Sequence, residues 1–393
     1  MVMLPLNVPT NIEKYFYNRK KDIKLLNNYM NSIKDDIPIQ LLITGYRGVG
    51  KTFLLKKILN DQPKEILTAY LDLSKVYGKQ GNNLSETDVL KELLNEINNT
   101  ISKHDTFNTI RNTLINKVKQ LPLKNYDFTN SVNIFNIPLS EIKDNYSNLS
   151  EFTMELPQKI VESTEEIKGF IIVIDEFQLL KKVDNPESFF WLIRSFSQTQ
   201  DNVSYIFTGS ISKTSDIIEM INGQTGAFGG RMIQVNIEPF TKEETKNYIK
   251  DKTNGLTFTE EGFNRFYKCT RGIPAYINSF ANVLEANELY DDKLIKENFI
   301  LKIDQIAVMW LRVWGTLNIK EKTIVKTIMS HEKITLTELV KNTCYSKGTI
   351  IKYLESLQNK GIVEYINRNY EISDQMLKLW LKNKKETEGY YPD

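Results

Sequence analysis

The chain has few of the residues that most often build metal centres, redox pairs and nucleophilic triads. Its 393 residues include only two cysteines, Cys269 and Cys344, and two histidines, His104 and His331. The cysteines lack the C-x-x-C spacing of a metal site or redox pair, so we expect two reduced, buried thiols. With so little imidazole and thiol available, any chemistry must depend on carboxylates, lysine, arginine and hydroxyls.

The chain also lacks a large net charge and any long apolar segment. Lysine and arginine number 51 against 49 aspartates and glutamates, a net charge of +2, so any basic surface must be local. No apolar run approaches the ~20 residues that span a bilayer. The N-terminus has no basic region and prolines interrupt its apolar stretch, unlike a secretory signal. We therefore expect a cytoplasmic protein that does not contact membranes.

The chain does have a glycine-rich loop between a predicted strand and a predicted helix. Residues 45–52 read Gly-Tyr-Arg-Gly-Val-Gly-Lys-Thr, which fits the pattern G-x-x-x-x-G-K-[ST]. Residues 39–43 predict a buried strand before the loop, and residues 53–59 continue as an amphipathic helix after it. Such a loop surrounds phosphates with backbone N–H groups, so we predict a nucleoside triphosphate site. The predicted contact residues are Gly45, Gly48, Val49, Gly50, Lys51, Thr52 and Phe53, with Lys51 at the phosphates and Thr52 at Mg²⁺.

Two acids follow a wholly apolar run. Residues 170–174 predict a strand buried on both faces of a parallel sheet, and Asp175 and Glu176 stand at its carboxyl end, where ligands bind in such sheets. We expect Asp175 to hold Mg²⁺ directly or through water and Glu176 to orient and deprotonate an attacking water. A second buried strand, from residue 203, ends near Thr208 and Ser210. Either hydroxyl could contact the γ-phosphate or the water.

Two arginines are further candidates. Arg231 follows a glycine-rich segment and could act as a finger on the transferring phosphoryl group, in trans if the chain forms a homo-oligomer; a structural role is the alternative. Arg271 lies in Arg-Gly-Ile-Pro at a helix boundary. It either reaches the nucleotide or caps a helix.

The pattern changes after residue 240. Residues 241–244 read as a capping box, and residues 241–300 predict short helices without a strand pattern. Helices predicted over 319–330, 336–342 and 347–360, followed by two short strands, indicate a winged helix-turn-helix. We therefore predict an α/β fold with a parallel-sheet P-loop domain (1–240), a helical lid (241–301) and a winged-helix domain (302–393). Residues 130–137 are predicted as an inserted hairpin or a surface loop.

The winged helix has a modest basic excess. Residues 316–382 contain 11 lysines and arginines against 7 aspartates and glutamates. Lys347, Thr349 and Lys352 begin the predicted recognition helix, and Arg368 stands at the wing tip. These side chains could contact duplex DNA. The alternative is a winged helix that contacts a protein partner.

Several segments together resemble one known family. They are residues 16–22, 45–52, 174–178, 207–210, 230–231, 235–240, 271–274 and 370–374. The chain resembles the archaeal-type AAA+ ATPases, which are related to origin-recognition initiators and signal-transduction NTPases. The resemblance implies ATP and Mg²⁺ as cofactors, with Asn18 and Arg19 beside the adenine. It also implies Asp175 as metal ligand, Glu176 as base, Ser210 or Thr208 as sensor and Arg231 as the finger.

Arg271 departs from the family pattern, because Gly-Gly-x-Pro is common at this position. Three functions remain open. The first is a nucleotide-controlled switch with slow hydrolysis whose winged helix binds DNA or a partner. The second is a replication-initiator-like DNA-binding ATPase, and the third is a nucleotide-bound scaffold without turnover.

Overall fold

The computed structural model describes residues 3–81, 83–104, 132–134, 137–139, 146–210 and 216–392. Its strands are β1 (Leu41–Gly45), β2 (Ile66–Asp72), β3 (Val132–Ile134), β4 (Ile137–Leu139), β5 (Gly169–Asp175), β6 (Val203–Thr208), β7 (Ile233–Ile237), β8 (Leu256–Phe258), β9 (Glu288–Tyr290), β10 (Val363–Ile366) and β11 (Asn369–Ile372).

The helices of the first 240 residues are α1 (Ile12–Tyr15), α2 (Lys20–Asn31), α3 (Lys51–Asn60), α4 (Leu73–Lys79), α5 (Glu86–Ser102), α6 (Tyr146–Val161), α7 (Pro186–Ser197) and α8 (Asp216–Asn222). Those that follow are α9 (Lys242–Lys252), α10 (Glu260–Thr270), α11 (Pro274–Val283), α12 (Asp292–Leu301), α13 (Ile303–Ile306), α14 (Val308–Gly315), α15 (Ile319–His331), α16 (Leu336–Thr343), α17 (Lys347–Asn359) and α18 (Gln375–Glu388).

A five-stranded parallel sheet in the order β2-β5-β6-β1-β7 forms the centre of the molecule. Side chains alternate between its two faces: Leu42 and Ile172 enter one apolar cluster, whereas Leu41 and Ile171 enter another. Every residue of β5 is buried, as its apolar sequence predicts. The carboxyl ends of β1, β5 and β6 therefore meet at one edge, where the predicted site residues follow.

Two pairs of three-residue strands lie outside the central sheet. Residues 241–300 were expected to lack strands, but β8 and β9 pair in parallel within them. That expectation is wrong because three-residue strands are too short to give a period. Within residues 120–150, β3 and β4 pair antiparallel, as the hairpin alternative predicts. The rest of the 130–137 prediction lies outside the described residues.

The C-terminal region has the predicted order of three helices and a hairpin. Ser346 caps α17 by accepting a hydrogen bond from Thr349 N, and Gly361 follows the helix with φ +67°. β10 and β11 pair antiparallel around Asn367 and Arg368, which both have positive φ, as in a type I′ turn.

One continuous apolar cluster joins the lid to the C-terminal region. Trp310 and Trp314, one turn apart on α14, are buried, and Trp314 packs edge-on against Trp380 of α18 with ring centroids 5.8 Å apart. The two tryptophans therefore pack inside the protein and do not line a cleft among the described residues. The domain limits at residues 240 and 301 stay predictions, since the second falls inside this shared core. Among the described helices, none has both the length and the apolarity to cross a bilayer.

Candidate nucleotide site

The loop between β1 and α3 has the backbone of a phosphate cradle. Gly45, Gly48 and Gly50 all have positive φ. A Cβ at Gly45 would lie 2.6 Å from Ile237 O, and one at Gly48 would lie 2.6 Å from Ala275 Cβ. Gly50 is the N-cap of α3, whose positive N-terminus therefore opens into the loop. Glycine is required here both for conformation and for close packing.

Lys51 is the buried cation of the site. Its ammonium group donates to Gly45 O at 2.9 Å, Tyr46 O at 3.0 Å and Ser210 Oγ at 3.0 Å. Burial lowers the pKa of Lys51 to about 8, although the carboxylates of Glu176 and Asp175 oppose the shift. A phosphate would replace weak carbonyl partners with a full counter-charge.

Thr52 and Asp175 are placed to hold Mg²⁺. Thr52 Oγ1 donates to Asp175 Oδ2 over 2.9 Å. Neighbouring oxygens on an octahedral Mg²⁺ lie ~3.0 Å apart, so this hydroxyl and carboxylate fit two adjacent ligand positions. The Tyr70 hydroxyl on β2 also donates to Asp175 Oδ2, a contact that no sequence motif indicated.

Glu176 faces the same cleft. Its backbone lies in the left-handed region at φ +55°, a conformation that costs about 1 kcal/mol or more for a residue with a side chain. Its N–H donates to Asp175 Oδ1 at 2.9 Å, and Gln178 Nε2 donates to its carboxylate. Burial, and then the charge of Asp175, raise the pKa of the Glu176 carboxyl. A raised pKa brings a carboxylate closer to the range of a general base.

The structure separates the two candidate sensors. Ser210 lines the cleft and contacts Lys51. Thr208 is fully buried beside Asp175 in the sheet, and within the described residues its hydroxyl has no hydrogen-bond partner. The geometry favours Ser210.

The cleft has a volume of about 360 Å³ and includes segments that carry no recognisable motif. Residues 5–8 form one wall, held to the lid because Asn278 Nδ2 donates to Pro5 O at 2.7 Å. The first turn of α11 forms another wall, where Ala275 N donates to Gly48 O at 3.1 Å. Arg47 and Met309 also line it. Sequence patterns missed these residues because long-range packing brings them here.

Asn18 and Arg19 do not line this cleft. Their side chains form hydrogen bonds to the P-loop, to the segment after β7 and to the lid. Arg19 donates to Val49 O at 2.8 Å and to Glu238 O, and its guanidinium lies 4.7 Å from the Phe240 ring. Asn18 Nδ2 donates to a carboxylate oxygen of the lid residue Glu244 at 2.6 Å. Their predicted place beside the adenine stays a prediction.

The two candidate arginines lie outside the cleft within the single chain. Arg231 is exposed on the segment before β7. Arg271 is exposed at the C-terminus of α10 and lines a different cleft, formed with α12 and α18. Neither arginine is brought to Lys51, so a finger role for Arg231 requires a second chain.

The candidate DNA contacts lie on one helix and one hairpin of the C-terminal region. Lys347 and Lys352 are exposed on α17, and Arg368 is exposed at the hairpin tip. Thr349 is half-buried, with its Oγ1 2.9 Å from Ser346 Oγ. The structure therefore leaves the three cations accessible.

Solved structures of known proteins are similar to this chain. The Walker-type ATPase PABY2304 of Pyrococcus abyssi is similar over 96% of this chain and 99% of its own, with 18% identity and a TM-score of 0.64, which shows the fold alone. The Aeropyrum pernix ORC1 protein in complex with DNA is similar over 98% of this chain and 96% of its own, with 12% identity and a TM-score of 0.47. A search of curated proteins gave no match.

A family model settles the relationship. Residues 16–280 match the model described as an ATPase domain predominantly from Archaea, which covers more than half of the chain. The P-loop, both acids and Arg271 fall inside the match. The resemblance to archaeal-type AAA+ ATPases is confirmed, and the chain belongs to this family of predominantly archaeal P-loop ATPases.

Proposed function

We propose that this protein is an ATP-binding, Mg²⁺-dependent ATPase that acts as a nucleotide-controlled switch. One observation carries the proposal: Lys51, Thr52, Asp175 and Glu176 come from two distant segments and converge at one cleft. The first three suit binding of a Mg-nucleotide, and the fourth suits activation of water. A scaffold without turnover would not need the strained, buried Glu176.

Each residue has a defined task. Lys51 would exchange its carbonyl partners for phosphate oxygens, and Ser210, already 3.0 Å from its ammonium group, would contact the terminal phosphate. Thr52 and Asp175 would hold Mg²⁺, which when bound supplies charge neutralisation on the phosphates. Glu176 would accept a proton from the attacking water. We expect slow hydrolysis from one chain, because Arg231 is exposed and could complete the site only in trans.

The switch is proposed from the position of α11. Its first turn packs on the P-loop through Ala275, and the next residue, Tyr276, donates through its hydroxyl to Asp374 Oδ2 at 2.8 Å. Asp374 caps α18, accepting from Met376 N and Leu377 N at 2.8 and 3.0 Å. Both side chains are buried, so breaking the contact would cost about 1–3 kcal/mol. A nucleotide that shifts α11 would therefore shift α18 with it.

DNA is a second candidate output. Lys347 and Lys352 project from the first turns of α17, and Arg368 stands at the hairpin tip, the arrangement by which a winged helix contacts a groove and its phosphates. A protein partner at the same surface is the alternative. Phosphate contacts make DNA binding strongly salt-dependent, which separates the two.

The test is ATP turnover by the wild type and Glu176→Gln, with and without random-sequence duplex DNA at several salt concentrations. Glu187→Gln, an exposed glutamate on α7, is the matched control. Turnover that requires Glu176 supports the ATPase, and salt-sensitive stimulation by DNA supports the DNA output. Equal turnover in the wild type and Glu176→Gln would contradict the assignment of Glu176 as the general base. Nucleotide binding without turnover in any variant would favour a scaffold or a switch that awaits a second chain.

A further inference from the structure

A second cleft lies between the lid and the last helix. It has a volume of about 490 Å³ and is formed by α10, α12 and α18. It shares no lining residue with the nucleotide cleft. We call it the basic cleft, since its lining includes five cations and one carboxylate: Arg265, Lys268, Arg271, Lys296, Lys382 and Glu386.

Within the described residues, two of the five cations form ion pairs and three do not. Lys382 Nζ lies 3.9 Å from Glu386 Oε1. Arg265 is paired, because its Nε and a terminal nitrogen donate to Asp292 at 2.8 and 3.0 Å. No carboxylate lies within salt-bridge distance of Lys268, Arg271 or Lys296 in the described part of the chain. All three are exposed. Like charges held together around a concavity favour an anionic occupant.

The floor of the basic cleft is apolar. Phe299 and Ile303 are buried beneath it, and Ile300 and Leu379 also line it. Ile300 is 46% exposed, and the adjoining Leu301 is 81% exposed. A phosphodiester backbone would leave this apolar surface unused. A peptide with apolar side chains between acidic residues would cover both the floor and the rim.

Arg271 is held in this cleft at a conformational cost. Its φ is +53°, a left-handed cap position that glycine normally occupies. The helix boundary alone would be better served by glycine. Arginine at this position therefore indicates a role for the side chain other than capping, and binding an anion in the basic cleft is such a role.

We propose that the basic cleft binds an acidic segment of a partner protein, anchored by apolar side chains. The segment would contact α18, which Asp374 connects to Tyr276 and the nucleotide cleft. Nucleotide control of this binding rests on the proposed switch, whereas the binding itself does not.

The experiment uses fluorescence anisotropy of the full chain with a labelled peptide in which aspartates and glutamates flank two leucines. Two competitors accompany it: the same peptide with serines for leucines, and a short DNA duplex. We expect the leucine peptide to bind, the serine peptide to bind at least about tenfold more weakly, and DNA to compete poorly.

Charge reversal locates the site. Lys268→Glu with Lys296→Glu should weaken peptide binding at least about tenfold, because attraction becomes repulsion on two sides of the cleft. Lys293→Glu is the matched control, since Lys293 is 83% exposed on the same helix α12 but outside the cleft. Arg271→Gly should weaken binding without lowering the thermal unfolding midpoint, because it relieves the left-handed strain.

The outcomes separate the claims. Equal peptide affinity in the wild type, the double variant and Arg271→Gly would overturn the proposal. It would also be overturned if DNA and the serine peptide bound as tightly as the leucine peptide, because the cleft would then be a general phosphate or carboxylate site. If the peptide affinity is the same with and without ATP, the peptide site in the basic cleft is supported and the proposed nucleotide switch is contradicted.

Discussion

The two clefts gather positive charge in opposite ways. The nucleotide cleft has one buried cation, Lys51, whose pKa burial lowers to about 8, inside a loop of glycines, and the half-buried Arg47 lines the same cleft. The basic cleft uses five cations on or next to three helices, between residues 265 and 382, and all but Arg265 are exposed. The first arrangement suits a compact anion, because backbone N–H groups and a helix N-terminus are already oriented. The second suits a larger anionic partner, because its charges stand far apart on separate helices and are screened by solvent.

The comparison teaches where a sequence motif is needed. When the backbone itself binds the ligand, residues must be contiguous and glycine must stand at fixed positions. When side chains on separate helices bind it, each helix only needs a cation on one face, and no pattern marks the site. The following predictions test this contrast, from the largest expected effect to the smallest.

The largest effect is expected from Lys51→Ala. Loss of the buried cation should lower ATP turnover about 100-fold or more, because the phosphates lose the only buried lysine among the described residues. Binding of the acidic peptide without nucleotide should not change. Lys57→Ala, on the same helix but paired with Glu13 and Asp61, is the control for phosphate release and nucleotide binding. Retained turnover in Lys51→Ala would remove the distinction between the clefts.

Cys269 reports on the floor of the basic cleft. Burial raises the pKa of its thiol to about 11, and the thiolate is the nucleophile, so at pH 8 we expect alkylation ~100-fold slower than for a free thiol of pKa ~8.5. The rate should rise with pH up to about 11, as the thiolate fraction grows. Mass spectrometry after iodoacetamide treatment measures this rate. Cys344 is the internal reference, because it is exposed; the expectation that both thiols are buried is wrong for Cys344, and Cys269 is only half-buried.

Bound peptide should lower the alkylation rate of Cys269 further and leave the alkylation rate of Cys344 unchanged. If Cys269 is alkylated at the rate of a free thiol at pH 8, solvent reaches the floor of the basic cleft. That result would weaken the case for an apolar anchor.

Asp374→Asn should disconnect the clefts. One oxygen must still cap α18, so the amide nitrogen would face Tyr276 and leave its hydroxyl proton without an acceptor. Since Trp310 Nε1 also donates to that hydroxyl, we expect a loss of about 1–3 kcal/mol in the free energy of unfolding. Urea unfolding measures this loss. The effect of ATP on peptide affinity should also disappear.

Asp291→Asn is the matched control. Asp291 caps α12 by accepting from Leu294 N at 2.8 Å and is exposed, so its change should cost only a few tenths of a kcal/mol. Unchanged coupling in Asp374→Asn would place the connection elsewhere.

The smallest effect is expected from Tyr70→Phe. The Tyr70 hydroxyl orients Asp175, but Thr52 and Glu176 N would still do so, hence we expect Mg²⁺ affinity to fall only about threefold to tenfold. Titrating Mg²⁺ against binding of a fluorescent ATP analogue measures it without turnover. Tyr77→Phe, whose hydroxyl only meets Lys182 near the surface, should behave like the wild type. A loss above 100-fold would make Tyr70 as important as a direct ligand.

Much of the candidate site could be predicted from local sequence. The helix caps at Thr241 and Ser346 lie where their sequences indicate, because a cap depends on three or four consecutive residues. Likewise, Asp175 and Glu176 follow a run whose complete burial its composition indicated. The choice between Ser210 and Thr208 could not be made, since it depends on which side chain the turn after β6 leaves open to the cleft.

The sequence by itself determined the phosphate loop, the two acids and the order of the elements, because each depends on neighbouring residues. Tertiary structure alone decided that residues 5–8 and Met309 line the nucleotide cleft, that Tyr276 contacts Asp374, and that Arg271 lines a different cleft. The physical reason is that packing of an apolar core brings together residues far apart in the chain. Nothing in the local order of their side chains records which ones will meet.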